Sequence, residues 1–220
     1  MTDKKYLYCY KMTHDTGFAP NPYRKVLTLA TCKPTIRRCA KEGYWISGWT
    51  SFSVQDRDGR KWDFRDKQKL IYLAKVSKVL SIEDYWYNYE EKRPKLMCNG
   101  NPVISKSCGG STNVVKGNFY YDCGDNIYEP TSQDPLEFTQ HENSGGHSKD
   151  DKEHDLSGKN VLICEEFYYF GVENAIEIEI NDGFYVPRCK KLVLDSEEAK
   201  AIIEQVTKKY KSGIYENNIK

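Results

Sequence analysis

Three stretches within the first 51 residues carry side chains suited to a planar, charged ligand. The run Asp15-Thr-Gly-Phe-Ala-Pro-Asn-Pro22 is held rigid by one glycine and two prolines. Asp15 and Asn21 can read the polar edge of a ring, and Phe18 can stack on its face. The run Leu29–Arg38, LATCKPTIRR, brings Lys33, Arg37 and Arg38 to a helix start opened by Pro34, a setting that suits a phosphate. The run Gly43–Ser51, GYWISGWTS, puts Trp45 and Trp49 four apart on a strand, and so on one face, as two sides of an aromatic cage. Ser51 closes that run and counts with the ligand-binding set. Each motif also has a plainer use: a connector, a solvated helix face, and two core tryptophans.

Acid–base chemistry has its candidates later in the chain. His141, His147 and His154 stand at H-x5-H and H-x6-H, among Asp150, Asp151, Glu153 and Asp155. Imidazole and carboxylate are metal ligands. No strand or helix is predicted to fix these groups, so neither a metal nor any other cofactor is expected. His147 and Asp155 are the acid–base candidates if the protein is an enzyme. Cys32, beside Lys33, is read as a buried structural thiol, with an activated thiol as the alternative.

The elements that must position these groups are short. Tyr6–Met12 is a strand candidate, and Val26–Thr31 is a brief apolar run. Pro34–Lys41 is a short helix, stopped by Gly43. Tyr44–Phe52 and Leu70–Val79 are strands, with a turn at Asp56–Gly59 between them. Ser81 caps a helical turn over Ile82–Tyr87, with Glu83 and Asp84 in its first turn. Residues 88–158 hold Gly109-Gly110, Gly145-Gly146 and every histidine except His14. They read as one long, partly ordered insertion into a single domain spanning 1–220. Strands resume at Asn160–Cys164, Phe167–Phe170, Ala175–Ile180, Phe184–Val186 and Lys191–Leu194. A final helix follows Asp195 as N-cap, with Glu198 completing a capping box and Ala199, Ile202, Ile203, Val206 and Tyr210 as its apolar stripe. Many short strands and few helices predict an α+β fold around a curved or closed sheet. GxGxxG and P-loop fingerprints are absent.

Composition narrows the function classes. The 220 residues are 39% hydrophobic and 30% charged, and 17 Tyr, 8 Phe and 4 Trp can build a core, which argues against disorder. No apolar run reaches the roughly 20 residues of a spanning helix, so no membrane association is expected. MTDKKYLYCY has no secretory core. Eight cysteines without a CxxC pair suit reduced thiols in a cytoplasmic protein better than a disulfide scaffold or a zinc ribbon. The net charge of +1 conceals strong segregation: residues 1–42 carry +6, 43–121 carry +5, 122–182 carry −13 and 183–220 carry +3. Such a chain can offer a basic face to an anion, or its halves can pair with each other.

The runs DTGFAPNP, LATCKPTIRR, GYWISGWTS, LIYLAKVSKVLSIEDYW and VLICEEFYYFG, in that order between about Tyr6 and Gly171, resemble the nucleotide-modification-associated domain family of the second type. That family occurs in bacteria and their phages, and its name implies association with enzymes that modify DNA bases. The family's second strand usually begins Gly-Asp-Trp, where this chain has Gly43-Tyr44-Trp45. His147, Ser148 and Asp155 fall where the family tends to keep polar residues. At fold level, the G-x-W-I and Y-L-A-K-V strands and the S-I-E-D-Y turn look like the PUA-like superfamily, including EVE and ASCH domains. These are small curved barrels, several of which read modified bases in an aromatic pocket.

The expectation is therefore a PUA-like barrel with short flanking helices and a C-terminal helix. It would bind a nucleotide or modified nucleobase, free or within DNA or RNA, in a DNA-modification or phage-defence setting. Two alternatives stand beside it: a nucleotide-processing enzyme using His147 and Asp155, and a protein-interaction component of a phage or defence cluster.

Overall fold

A computed structural model describes residues 4–99, 101–102 and 119–215. Gly109-Gly110 and Cys108 lie outside the described residues. Alternating aromatic and aliphatic residues make β1 (Tyr6–Asp15) two-faced: Tyr8, Tyr10 and Met12 enter one core, Leu7 and Cys9 another. It pairs in parallel with β3 (Trp45–Asp56) and antiparallel with β14 (Cys189–Val193). The large sheet runs β14-β1-β3-β5-β13-β15, with β5 Leu70–Lys75, β13 Glu166–Tyr169 and β15 Gly213–Ile214; β4 (Lys61–Asp63) hairpins onto β3.

A second sheet of three strands, β2 (Leu27–Leu29), β12 (Asn160–Cys164) and β6 (Lys78–Ser81), lies over one face of the first. Leu27, Leu29, Leu162 and Cys164 meet Tyr10, Ile46 and Tyr72 in the core between them. The helix α4 (Glu197–Lys209) covers the other face, setting Ala199, Ile202 and Val206 against Leu7, Trp45, Trp49 and Leu73. Beyond the small sheet comes a last layer. Val161 and Ile163 pack there on Ile82 and Tyr85 of α2 (Ile82–Asn88) and on Ile127, Tyr128, Phe138 and Leu156. The region after residue 88 thus supplies a wall of the molecule as well as the short pairs β7 (Leu96–Cys98) with β8 (Asn101–Pro102) and β9 (Phe119–Tyr121), and β10 (Tyr128–Glu129) with β11 (Thr139–Gln140).

Several expectations need correction. Among the described residues β14 and β15 end the large sheet without meeting, so the mixed α+β fold has no closed barrel. The strand expected over 70–79 divides at Val76 and Ser77. Their N–H groups bond to Tyr44 and to Ile163, which carries the chain from the large sheet to the small one. Ala175–Ile180 is not a strand beyond one bridge between Ile176 and Leu70, because β13 already occupies that edge of β5. Phe184–Val186 is not one either: the Gln68 side chain takes the place of a strand partner, accepting from Val186 N–H at 2.8 Å and donating to its carbonyl at 3.1 Å. Ser196, not Asp195, caps α4, its Oγ accepting from Ala199 N–H. The seven described cysteines are free thiols, and no described helix is long and apolar enough to cross a membrane.

Candidate active site

The chain leaves β2, turns at Thr31–Lys33 and enters α1 (Pro34–Cys39). Cys32 and Lys33 both take left-handed backbone angles, φ 54° and 41°, which L-residues adopt at a cost of about 1–3 kcal/mol. Specific bonds hold the turn. Cys32 N–H donates to Asp155 Oδ1 at 2.7 Å, and Arg37 Nε donates to Cys32 C=O at 2.7 Å. Arg37 is fully buried and also binds the carbonyls of Asn160 and Asp155. The Cys32 side chain is thereby offered at the end of a strand and the start of a helix.

Opposite stands His147. Asn143 fixes its backbone, accepting from His147 N–H at 3.2 Å and donating to its carbonyl at 3.0 Å, and Gln140 donates to the same carbonyl. Ser148 and Asp151 then form a capping box that starts the turn into α3 (Lys152–Leu156), which carries Asp155. His147 Nε2 lies 3.4 Å from Cys32 Sγ, and His147 Nδ1 lies 2.6 Å from Asp155 Oδ2. Tyr128 donates to that same oxygen at 2.8 Å. Burial and the adjoining carboxylate raise the Tyr128 pKa, so its hydroxyl remains a donor. The Phe18 ring leans on the imidazole with centroids 5.0 Å apart. Gly145 fits against Phe18 only because it lacks Cβ; one would stand 2.2 Å from the ring.

Cys32, His147 and Asp155 therefore form a relay in which each imidazole nitrogen has one partner. Burial pulls the His147 pKa down, but hydrogen bonds and charge from Asp155 and Cys32 outweigh this and push it up to about 10. The imidazolium is the neutral-pH form, donating to the carboxylate on one side and to sulfur on the other. The three groups could also gather round a metal ion, since their ligand atoms lie within 4.8 Å of one another. The hydrogen bonds favour the relay: both Asp155 oxygens already accept N–H or O–H donors, and His147 Nδ1 is spent on one of them. Sulfur and imidazole open onto a cavity of about 780 Å³, lined also by Tyr10, Phe18, Lys33 and Arg188.

The other sequence-predicted residues divide sharply. Phe18 and Lys33 line the cavity. Asp15 is buried, accepting from Tyr169 O–H and Val172 N–H, and so ties β1 to the end of β13. Asn21 is buried as well, with its Oδ1 accepting from Lys92 Nζ at 2.9 Å. Lys92 itself is sealed among the carbonyls of Asn21, Tyr23 and Val26. These bonds brace the rigid loop and do not face the cavity. Arg37 is the brace of the Cys32 turn, and Arg38 is exposed, donating to the Ser157 carbonyl. Trp45 and Trp49 do share a face, but it is the one under α4, where they are 6% and 2% exposed; Trp49 Nε1 donates to Ser47. They pack there because α4 needs an apolar floor. Ser51 donates to the Ser53 carbonyl within its own strand. Of the histidines, His141 stacks on Trp86 and pairs with Glu129, while His154 reaches the cavity wall.

Cys32, expected to be buried, is half-buried and lines the cavity, and neither Tyr128, which bonds Asp155, nor Arg188, which lines the cavity, is among the sequence candidates. The available signal for Cys32 was its place between an apolar strand and a Pro-started helix. Tyr128 had none, because its role exists only through Asp155.

A family model described as nucleotide modification associated domain 2 matches residues 4–111 and 105–219. No curated protein and no solved structure gives a match.

Proposed function

Since the chain belongs to the nucleotide modification associated domain 2 family, whose description sets it in a nucleotide- or DNA-modification context, we propose that it is a cysteine-nucleophile enzyme acting on an acyl group borne by a nucleotide or modified nucleobase. The observation that carries this reading is the Cys32–His147–Asp155 relay at the wall of a cavity. It favours the nucleotide-processing alternative over recognition in a tryptophan cage, because the tryptophans lie beneath α4.

Cys32 sulfur, with the shared proton on His147 Nε2, attacks the acyl carbon. The His147 Nε2 proton passes to the departing nitrogen or oxygen, leaving a thioester on Cys32 and a neutral imidazole. Water then loses a proton to His147 and adds to the thioester carbon. Sulfur leaves as thiolate, the carboxylic acid departs, and the imidazolium is restored. Asp155 holds the imidazole ring and its charge, and Tyr128 holds Asp155. A nucleophile that must stay reduced suits the cytoplasmic setting expected from the cysteines.

The test is incubation with nucleotides and base-modified nucleosides released from modified DNA, followed by mass spectrometry of the small molecules and of the Cys32 peptide. Turnover, and an acyl mass on Cys32 that Cys32→Ala abolishes, is expected. Unchanged turnover by Cys32→Ala, or tight binding with no chemistry in the parent, would contradict the reading.

A further inference from the structure

Resting on the thiol-enzyme reading, we propose that Lys33 and Arg188 form an anion subsite beside Cys32 that takes the phosphate of a mononucleotide. The first support is the composition of the cavity wall. It includes Lys33, Arg188 and three imidazoles, and among the described residues it includes no Asp or Glu. That is unexpected so close to a segment carrying −13. Elsewhere the basic and acidic segments do pair, as in Arg24–Asp122, Lys75–Glu166 and Lys78–Glu165. Among the described residues, no such pair is found at the cavity wall around Lys33 and Arg188.

The second support is the state of Lys33 itself. Among the described residues its ammonium has no carboxylate partner; it reaches only the Lys11 carbonyl at 3.4 Å and the face of the Tyr10 ring at 4.7 Å. Burial pulls its pKa down and the charge of Arg188 pulls it the same way, against a smaller opposing effect of Cys32 and Cys189. Lys33 and Arg188 line one cavity that has no carboxylate among its described lining residues, so a bound anion would relieve both burial and repulsion. A phosphate dianion answers two cations better than a single carboxylate does. Tyr10, Met12 and Phe18 supply an apolar wall for the rest of the molecule, and the cavity volume is that of a small-ligand site. The concave wall favours a mononucleotide over a strand.

Two measurements separate this subsite from the nucleophile. In Cys32→Ser protein, calorimetry compares deoxynucleoside 5′-monophosphates with the matched nucleosides and with a single-stranded oligonucleotide. The monophosphates should bind at least about tenfold more tightly than the nucleosides, the preference should shrink with added salt, and Arg188→Met should remove most of it. Arg188 is exposed, so this variant keeps the fold. Equal binding of nucleoside and monophosphate overturns the subsite, and an oligonucleotide that outbinds the monophosphates overturns the mononucleotide assignment. In the parent protein, alkylation of Cys32 by anionic iodoacetate is compared with neutral iodoacetamide. A rate ratio favouring iodoacetate that falls in Arg188→Met supports the subsite, and a ratio unchanged by Arg188→Met contradicts it. Failure of both reagents to mark Cys32 ahead of the other thiols contradicts the nucleophile, while the calorimetry still decides the anion.

Discussion

The two faces of the large sheet begin from similar material and end differently. Both are rich in aromatic residues: Trp45, Trp49 and Tyr168 on one, Tyr8, Tyr10 and Tyr72 on the other. On the first, the amphipathic α4 lies flat and leaves the tryptophans as core. On the second, the small sheet covers most of the surface but stops at the Cys32 turn, and the layer built from residues 119–158 completes the wall with polar groups. Aromatic content therefore does not locate the site. What locates it is a place where strained backbone, a thiol and one buried hydrogen-bonded carboxylate, Asp155, coincide.

The largest effects that could break this contrast are catalytic. Cys32→Ala and His147→Gln should each lower turnover by at least about 10³-fold, since residues of such a relay act as a unit, and Cys32→Ala should melt close to the parent. Turnover that survives either change would reduce the relay to a structural network. Next comes the sealed face. Trp49→Ala should cost about 3–5 kcal/mol of stability by denaturant unfolding, whereas Trp49→Phe should cost far less. If Trp49→Ala instead left stability intact and weakened nucleotide binding, the faces would have been assigned the wrong way round.

A smaller effect tests the support behind the relay. Tyr128→Phe removes one hydrogen bond to a buried carboxylate and should cost about 1–3 kcal/mol, with a reduced rate but no change in which cysteine reacts. Gly158→Ala should perturb the same place from the other side, because a Cβ there would stand 2.5 Å from the Arg37 guanidinium carbon. The smallest effect belongs to α4: Ser196→Ala should cost about 1 kcal/mol and Asp195→Ala less, which distinguishes the observed cap from the expected one.

Much of the fold was legible because it is written in local pattern. The alternation in Tyr6–Met12, the Ser81 cap of α2 and the stripe of α4 each need only a few neighbouring residues, and each is found. The failures are where a distant partner decides. Gln68 standing in for a strand beside Val186, or β13 taking the edge that Ala175–Ile180 would need, leaves no mark in either segment alone. The site follows the same rule. His147 and Asp155 stand out in the sequence as titratable candidates, but the thiol that joins them in the structure lies 115 residues before His147. Arg37 and Asn21 read in the sequence as ligand-binding residues, but both are buried with side chains that donate to backbone carbonyls, a use of a buried polar group that sequence does not separate from substrate binding.

The raised His147 pKa also makes the relay a pH-dependent part of stability. A group that binds its proton more tightly folded than unfolded contributes fully below its unfolded value, near 6.5, and loses that contribution as pH rises through about 10. Relative to His147→Gln, the parent should therefore lose stability across that window. The most direct measurement of the relay is the NMR titration of the His147 ring nitrogens in the parent and in Asp155→Asn. Both nitrogens should stay protonated through neutral pH and titrate near 10 in the parent, with the midpoint falling clearly in Asp155→Asn. A His147 that titrates near 6.5 and does not respond to the Asp155 change would contradict the relay.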